Sequence, residues 1–158
     1  MRLATRSVFG AAALAVGVSG AVAAVVAPTD VAVSEDYTVE MPLTDAAGDA
    51  EKGRSIFANR KLGNCLACHE NGDLDAELFH GEVGPSLNGV GNRFSEAELR
   101  AILVNSKAVF GDQTIMPSFY SVAHGARTME KFEGVTILEA QQVEDVIAYL
   151  KTLDKDEM

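Results

Sequence analysis

Apolar side chains recur at helical spacing in three separated stretches of the chain, residues 45–60, 95–105 and 136–153. Each stretch gathers its apolar positions on one face, as amphipathic helices do. Gly53 lies on such a face although glycine costs about 1 kcal/mol in a helix interior, which predicts that another backbone approaches closely there. The apolar positions are Ala50, Gly53, Ile56 and Phe57 in the first stretch, Leu99, Ile102 and Leu103 in the second, and Val143, Val146, Ile147, Leu150 and Leu153 in the third.

Two of these helices carry a recognisable start signal. Ser95 is followed three residues later by Glu98, and Thr136 is followed at the same spacing by Glu139. A hydroxyl residue with an acid three positions on is a capping box, in which each side chain binds the other residue's backbone N–H group. The sequence therefore predicts helices that begin just after Ser95 and just after Thr136.

The remainder of the chain lacks strong periodicity. Residues 70–94 and 106–135 are rich in Gly, Pro, Ser and Asn, and long loops of this kind in a small domain wrap something or carry function. No alternation strong enough to build a sheet is present. The predicted fold is small and all-α, with three to four helices, and its few core residues invite a large apolar cofactor.

The first residues have the layout of a secretory signal peptide, with Arg2 and Arg6 ahead of an uncharged run of small residues. We expect cleavage after Ala23 or Ala24, although Val8 to Ala27 is also about long enough for a retained membrane anchor. Cleavage predicts a periplasmic product without stable membrane insertion. The expected organisation is a signal peptide over 1–24, an extended arm over 25–45 and one compact domain over 46–155.

Charge narrows the choice of partners. The chain has 13 basic and 23 acidic residues, a net charge of −10, which becomes −12 once the two arginines of the leader are removed. Such a surface repels nucleic acid. It suits either a basic partner or plain solubility.

Both cysteines lie in the run GNCLACHENG, where Cys65, Cys68 and His69 form a C-x-x-C-H motif. This is the attachment signature of c-type haem. Two thiols at this spacing can add to the two vinyl groups of the porphyrin, and the adjacent imidazole can then bind the iron. The sequence predicts one covalently bound haem c with His69 as an iron ligand.

Three other readings of the motif are open. A redox-active dithiol requires a βαβ pattern nearby, and a zinc site requires four ligands. A disulfide between Cys65 and Cys68 would close a loop of four residues, which constrains the unfolded chain very little.

The second axial ligand must come from another part of the chain. Met116, beside Pro117 in the second long loop, is the leading candidate, because a thioether opposite histidine raises the reduction potential and suits an electron acceptor. Met129, His124 and His80 are the alternatives.

Two further positions are candidate haem contacts. Pro85 stands where its carbonyl could accept a hydrogen bond from the second ring nitrogen of His69, which would fix the orientation of the ring. Arg93, or alternatively Arg60, could pair with a haem propionate.

Five segments together resemble the class I cytochromes c, over residues 46–153. They are GDAEKGRSIF, CLACH, GPSL, IMP and EDVIAYLKTL. The resemblance implies that the first and last helices cross, with Gly53 and Phe57 facing Ile147 and Leu150.

A narrower set, GRSIFANRKLGNCLACH, GEVGPSLNGVGNRF, LRAILVN and TIMPSFY, resembles the SoxX cytochromes. These are the monohaem subunits of the SoxAX complexes, which oxidatively join thiosulfate to a carrier-protein cysteine. The resemblance implies a larger SoxA-type cytochrome partner and a downstream cytochrome c acceptor. Because haem attachment uses both cysteines of this chain, sulfur chemistry on cysteine would belong to the partner. By itself, this chain would be an electron carrier.

The resemblance also implies an exposed haem edge near Cys65 and Cys68. An apolar contact with the partner is expected there, formed by Leu66, Ala67, Phe119 and Tyr120. The alternative functions are a free periplasmic electron shuttle and a haem domain that senses a ligand at a vacated sixth site.

Overall fold

The structure, a computed structural model, describes residues 24–124 and 128–155. The predicted signal peptide lies almost wholly outside these residues. Within them the protein is helical, which confirms the all-α prediction, and an isolated antiparallel bridge joins Val25 to Thr44. Two short helices inside the predicted loops bring the number of described α-helices to five. They are α1 (Ala50–Ala58), α2 (Val90–Arg93), α3 (Glu96–Val104), α4 (Ser106–Phe110) and α5 (Ala140–Thr152).

Helix α1 begins at Ala50, the first apolar position of its stretch, because Asp49 caps it. The Asp49 carboxylate accepts hydrogen bonds from the backbone N–H groups of Glu51 and Lys52, at 3.1 and 3.2 Å, which satisfies two otherwise unpaired donors. These bonds and the Lys52 ammonium hold the pKa of Asp49 below its usual range. Asp49 therefore fixes the first turn of the helix.

The first and last helices cross at Gly53, as the resemblance implied. A Cβ atom added to Gly53 would lie 1.9 Å from the carbonyl oxygen of Asp145 and 2.8 Å from the Cβ of Tyr149. One turn further on, the rings of Phe57 and Tyr149 meet edge to face with centroids 5.6 Å apart. At the crossing, Gly53 thus lies against Asp145 and Tyr149, and Phe57 lies against Tyr149. Ile147 and Leu150 are buried in the same core.

Helix α3 starts as predicted. Ser95 and Glu98 form the capping box, with the Glu98 carboxylate 2.7 Å from the Ser95 nitrogen and the Ser95 hydroxyl 3.2 Å from the Glu98 nitrogen. The buried face differs from the predicted one at Ile102, which is only half-buried. The buried residues of α3 are Leu99, Arg100, Ala101, Leu103 and Val104.

Helix α5 begins three residues later than predicted. Its capping box joins Glu139 to Gln142 rather than Thr136 to Glu139, so the prediction at this end was wrong. The backbone N–H groups of Ile137 and Leu138 both donate to the carbonyl of Phe119, each at 3.0 Å. This tertiary contact keeps the two residues out of the helix and delays its start.

The segment before α1, predicted to be an extended arm, is tied to the domain by buried contacts. Leu43 is fully buried, and its N–H group donates to Glu144 of α5 at 2.9 Å. The Glu144 carboxylate also accepts two hydrogen bonds from Arg100 of α3, at 2.7 and 2.9 Å, while the same guanidinium donates to the carbonyl of Val39. One buried ion pair thus joins the segment, α3 and α5.

None of the helices in the described residues is long and apolar enough to cross a membrane.

Candidate functional site

The C-x-x-C-H motif forms a single tight turn in the loop that follows α1. Residues Cys65–Ala67 are a 3₁₀ helix, and the His69 N–H group donates to the carbonyl of Cys65 at 2.9 Å. Asn64, with φ of 51°, lets the chain reverse into this turn; asparagine tolerates the left-handed region better than most residues. The turn therefore brings both thiols and the imidazole to one place.

The state of the thiols disfavours two of the alternative readings. Both are free, so no disulfide joins Cys65 to Cys68. Burial raises the pKa of the Cys65 thiol to about 12, whereas a redox-active dithiol requires a depressed pKa to form its thiolate. The βαβ pattern that a dithiol fold requires is also missing from the described residues.

The zinc reading fails for want of ligands. No group of three or more His, Cys, Asp or Glu side chains in residues 24–124 and 128–155 could hold a metal ion. An all-protein zinc site needs four such donors.

His69 is held by the carbonyl predicted from the sequence. Its Nδ1 lies 2.8 Å from the carbonyl oxygen of Pro85. A carbonyl can only accept, so Nδ1 carries the proton and the Nε2 lone pair is available to a metal. Gly84 lies against the same ring, since a Cβ there would be 2.4 Å from its Cε1 atom. The imidazole is therefore fixed both in tautomer and in orientation.

A hydrogen-bond network missed by the sequence analysis supports the segment that follows His69. Asn71, fully buried, donates from Nδ2 to the Tyr149 hydroxyl at 2.9 Å, and that hydroxyl donates to Asp73 at 2.8 Å. Arg54 of α1 binds the same carboxylate at 2.8 Å. The motif is thereby connected to the crossing of α1 and α5.

Two pKa values reflect this network. Burial, followed by the hydrogen bond to Asp73, raises the pKa of Tyr149. Burial also acts on Asp73, but the hydrogen bonds from Tyr149 and Arg54 outweigh it and hold the pKa of this carboxyl below its usual range. Tyr149 is therefore a neutral donor and Asp73 an anionic acceptor at neutral pH.

The two candidate propionate partners occupy different places. Arg93 donates to the backbone carbonyls of Ser86 and Asn88, which follow Pro85 in the chain. Arg60 donates to the carbonyl of Leu78 at 3.3 Å, and its guanidinium carbon lies 5.2 Å from the centre of the Phe79 ring. Arg93 lies in the chain segment that holds His69, whereas Arg60 covers an exposed aromatic ring.

Met116 is half-buried and packs against the core. The Ser106 hydroxyl at the start of α4 donates to the carbonyl of Met116 at 2.7 Å. Two residues beyond Pro117, the Phe119 N–H group donates to the carbonyl of Leu103 at 2.8 Å. The junction of α3 and α4 therefore fixes the loop that carries the thioether.

The alternative ligands are engaged elsewhere or exposed. His80 accepts from the Asn71 N–H group at 3.3 Å and donates to the Leu74 carbonyl at 3.0 Å. His124 donates to the carbonyl of Val135 at 2.7 Å, and the Met129 side chain is 62% exposed. Of the two candidate methionines, Met116 is the one that packs against the hydrophobic core.

The expected apolar contact surface was wrong in three of its four residues. Leu66, Phe119 and Tyr120 are each at most 6% exposed, since all three belong to the hydrophobic core. Only Ala67 is exposed. The side chains of Leu66, Phe119 and Tyr120 therefore cannot form a contact surface without unfolding the domain.

The donor set fits a covalently attached haem. Two free thiols share one turn with an imidazole whose Nε2 is available, and a thioether loop packs on the same small core. Histidine with methionine is the axial pair typical of electron-transfer cytochromes. A helical chain with crossed terminal helices and this turn belongs to the class I c-type cytochromes.

Comparison with known proteins leads to the same class. Residues 50–154 match the cytochrome c family, and the chain belongs to this family, whose cofactor is a covalently bound haem c. A solved structure, the crystal structure of SoxXA from P. pantotrophus, contains a chain that is 40% identical, with a TM-score of 0.75. The match covers 82% of this chain and 98% of that one, which confirms the resemblance to the SoxX cytochromes. No curated protein matches the chain.

Proposed function

We propose that this protein is the haem c subunit of a periplasmic SoxAX-type complex, in which it accepts electrons released by oxidative coupling of thiosulfate to a carrier-protein cysteine. The observation that carries the proposal is the likeness to a SoxXA chain over 98% of that chain's length. A match from end to end, at 40% identity, concerns the whole subunit and not merely its haem motif.

In this function Cys65 and Cys68 would hold the haem covalently, and His69 and Met116 would bind its iron. The bound haem supplies a one-electron redox centre. The carbonyl oxygen of Pro85 lies 2.8 Å from Nδ1 of His69 and keeps the ring proton on that nitrogen. This hydrogen bond strengthens electron donation from Nε2 to a metal. Arg93 holds the backbone that directly follows that carbonyl. Each predicted site residue would therefore attach the haem, bind its iron or position His69.

The chemistry of the complex restricts this chain to electron uptake. Joining a carrier thiol to thiosulfate gives an S-thiosulfonate, one proton and two electrons. The chain has two cysteines, both in the haem motif, and no third thiol for a sulfur intermediate. The partner, a larger SoxA-type cytochrome, would therefore hold the sulfur chemistry. This chain would pass the two electrons, one at a time, to a downstream cytochrome c.

The proposal is tested by association and by reduction. We expect the exported chain, isolated from periplasmic extract, to co-elute with a larger cytochrome that mass spectrometry identifies. When thiosulfate is added to the co-eluting proteins, the visible spectrum should show that the haem of this chain becomes reduced. A free electron shuttle would instead elute alone and stay oxidised when thiosulfate is added.

Replacing Met116 with Ala tests the second axial ligand. We expect the purified ferric protein to lose the weak absorption band of methionine ligation and its reduction potential to fall by more than about 100 mV, because a thioether favours the ferrous state. Potentiometric titration measures the change. The matched control is Met129→Ala, which removes an exposed thioether and should leave both spectrum and potential unaltered. An unchanged Met116→Ala spectrum would assign the ligand elsewhere.

A further inference from the structure

An exposed apolar patch lies beside the turn that carries the two cysteines. Its apolar members are Leu78, Phe79 and Val83, exposed to 68%, 77% and 61%. Soluble proteins seldom leave large apolar side chains together in water unless they meet a partner there. We call this set, together with Arg60, the loop patch.

Backbone contacts connect the loop patch to the haem-binding turn. The Gly81 N–H group donates to the carbonyl of Leu66, and that of Gly84 to the carbonyl of Cys68, both at 2.7 Å. Gly81 sits so close that an added Cβ would lie 2.0 Å from the carbonyl oxygen of Ala67. Val83 lies between these two attachment points. A protein bound to the patch would therefore lie next to the turn through which the haem is attached.

Phe79 is held there in an unfavourable backbone conformation. Its φ is 70°, in the left-handed region that disfavours bulky side chains. Its ring is exposed, so no burial of the ring in this chain offsets the strain. Strain of this kind is concentrated at functional sites. Burial of the ring by a protein partner would offset the cost of this backbone conformation.

Arg60 adds a positive charge to the loop patch, which indicates the chemistry of the partner's surface. Its guanidinium stands over the Phe79 ring and donates to the Leu78 carbonyl. Within the described residues, no ion pair joins Arg60 to a carboxylate, although the chain as a whole has 23 acidic residues against 13 basic ones. A surface with an unpaired arginine beside an aromatic ring fits a partner with a carboxylate in an apolar surround.

We propose that the loop patch is the docking site for the larger cytochrome subunit, which places an apolar surface on Phe79 and a carboxylate opposite Arg60. The inference rests on the proposed function, because that function requires an electron donor close to the haem of this chain. Aromatic residues and arginine provide most of the binding energy in protein interfaces. Phe79 and Arg60 are therefore the residues whose loss should weaken the complex most.

The test uses the complete haem-containing protein and its co-purified partner. Replacing Phe79 with Gly should raise the dissociation constant of the complex by roughly 30-fold or more, as expected for an interface hot spot. Because glycine accepts a φ of 70°, the free subunit should melt at the same temperature or higher. The matched control is Tyr37→Gly, which removes another exposed aromatic residue with positive φ, 58°, from a different part of the chain. The control should leave the dissociation constant unchanged.

A second pair of variants tests the charge. Arg60→Gln should weaken binding and reduce its dependence on salt, whereas Lys52→Gln, which removes an exposed cation already paired with Asp49 at 3.2 Å, should do neither. Equal binding by wild type and Phe79→Gly would overturn the docking site alone. A wild-type chain that binds no larger cytochrome would instead overturn the proposed function, and the docking site with it.

Discussion

Replacing Gly53 with Ala is expected to destabilise the protein by at least about 3 kcal/mol, the upper end of overpacking effects in cores. The added methyl group would lie 1.9 Å from a backbone oxygen, that of Asp145, and 2.8 Å from the Cβ of Tyr149. Neither atom belongs to a flexible side-chain end, so the two helices must separate. Separation would also disturb the contact between the Phe57 and Tyr149 rings.

Chemical denaturation followed by circular dichroism measures the effect on the haem-containing protein. Ser55→Ala is the matched control, because Ser55 lies in the same helix on its exposed face. The control should change the free energy of unfolding by less than about 0.5 kcal/mol. A Gly53→Ala protein as stable as the control would mean that the helices do not cross at this residue.

Removing the Glu144 carboxylate is expected to cost about 3–5 kcal/mol, since it leaves the guanidinium of Arg100 buried without its counter-charge. Both side chains are nearly inaccessible, at 3% and 7% exposure. Glu144→Ala also removes the acceptor for the N–H group of Leu43. The segment before α1 should then detach from the domain, and hydrogen exchange at Val39 and Leu43 should accelerate.

The double variant Arg100→Met with Glu144→Leu provides the comparison. Replacing a buried ion pair with apolar residues of similar volume is often neutral or stabilising, so the double variant should regain much of the stability lost in Glu144→Ala. Urea denaturation of the Glu144→Ala protein and of the double variant gives their free energies of unfolding. If the single variant lost under about 1 kcal/mol, the ion pair would not hold the segment in place.

Features with a local cause were predictable from the sequence. Ser95 and Glu98 are three residues apart and cap each other, so the start of α3 follows from those residues alone. The cost of a glycine within an apolar helical face correctly indicated the close crossing at Gly53. The C-x-x-C-H spacing indicated the cofactor, and the proline downstream indicated the acceptor for His69.

Features that depend on distant partners were not predictable. Thr136 and Glu139 have the same spacing as the α3 capping box, but the intervening residues donate to the carbonyl of Phe119 and stay outside the helix. Tyr149 carries no sequence signal for its hydrogen bonds, because Asn71 and Asp73 lie more than 70 residues away. Likewise, no local pattern distinguishes an apolar residue that is buried, such as Leu66, from one that is exposed, such as Phe79.

The crossing of α1 with α5 has a consequence for the timing of biogenesis. The two helices stand at opposite ends of the domain sequence, and α5 ends at Thr152, so this contact cannot form until nearly the whole polypeptide has emerged. Contacts between sequence-distant segments form slowly. Because Cys65 packs against the core of the folded domain, we expect its thiol to be more accessible to the porphyrin during that interval. Packing of α5 against α1 would then complete the fold of the haem-containing protein.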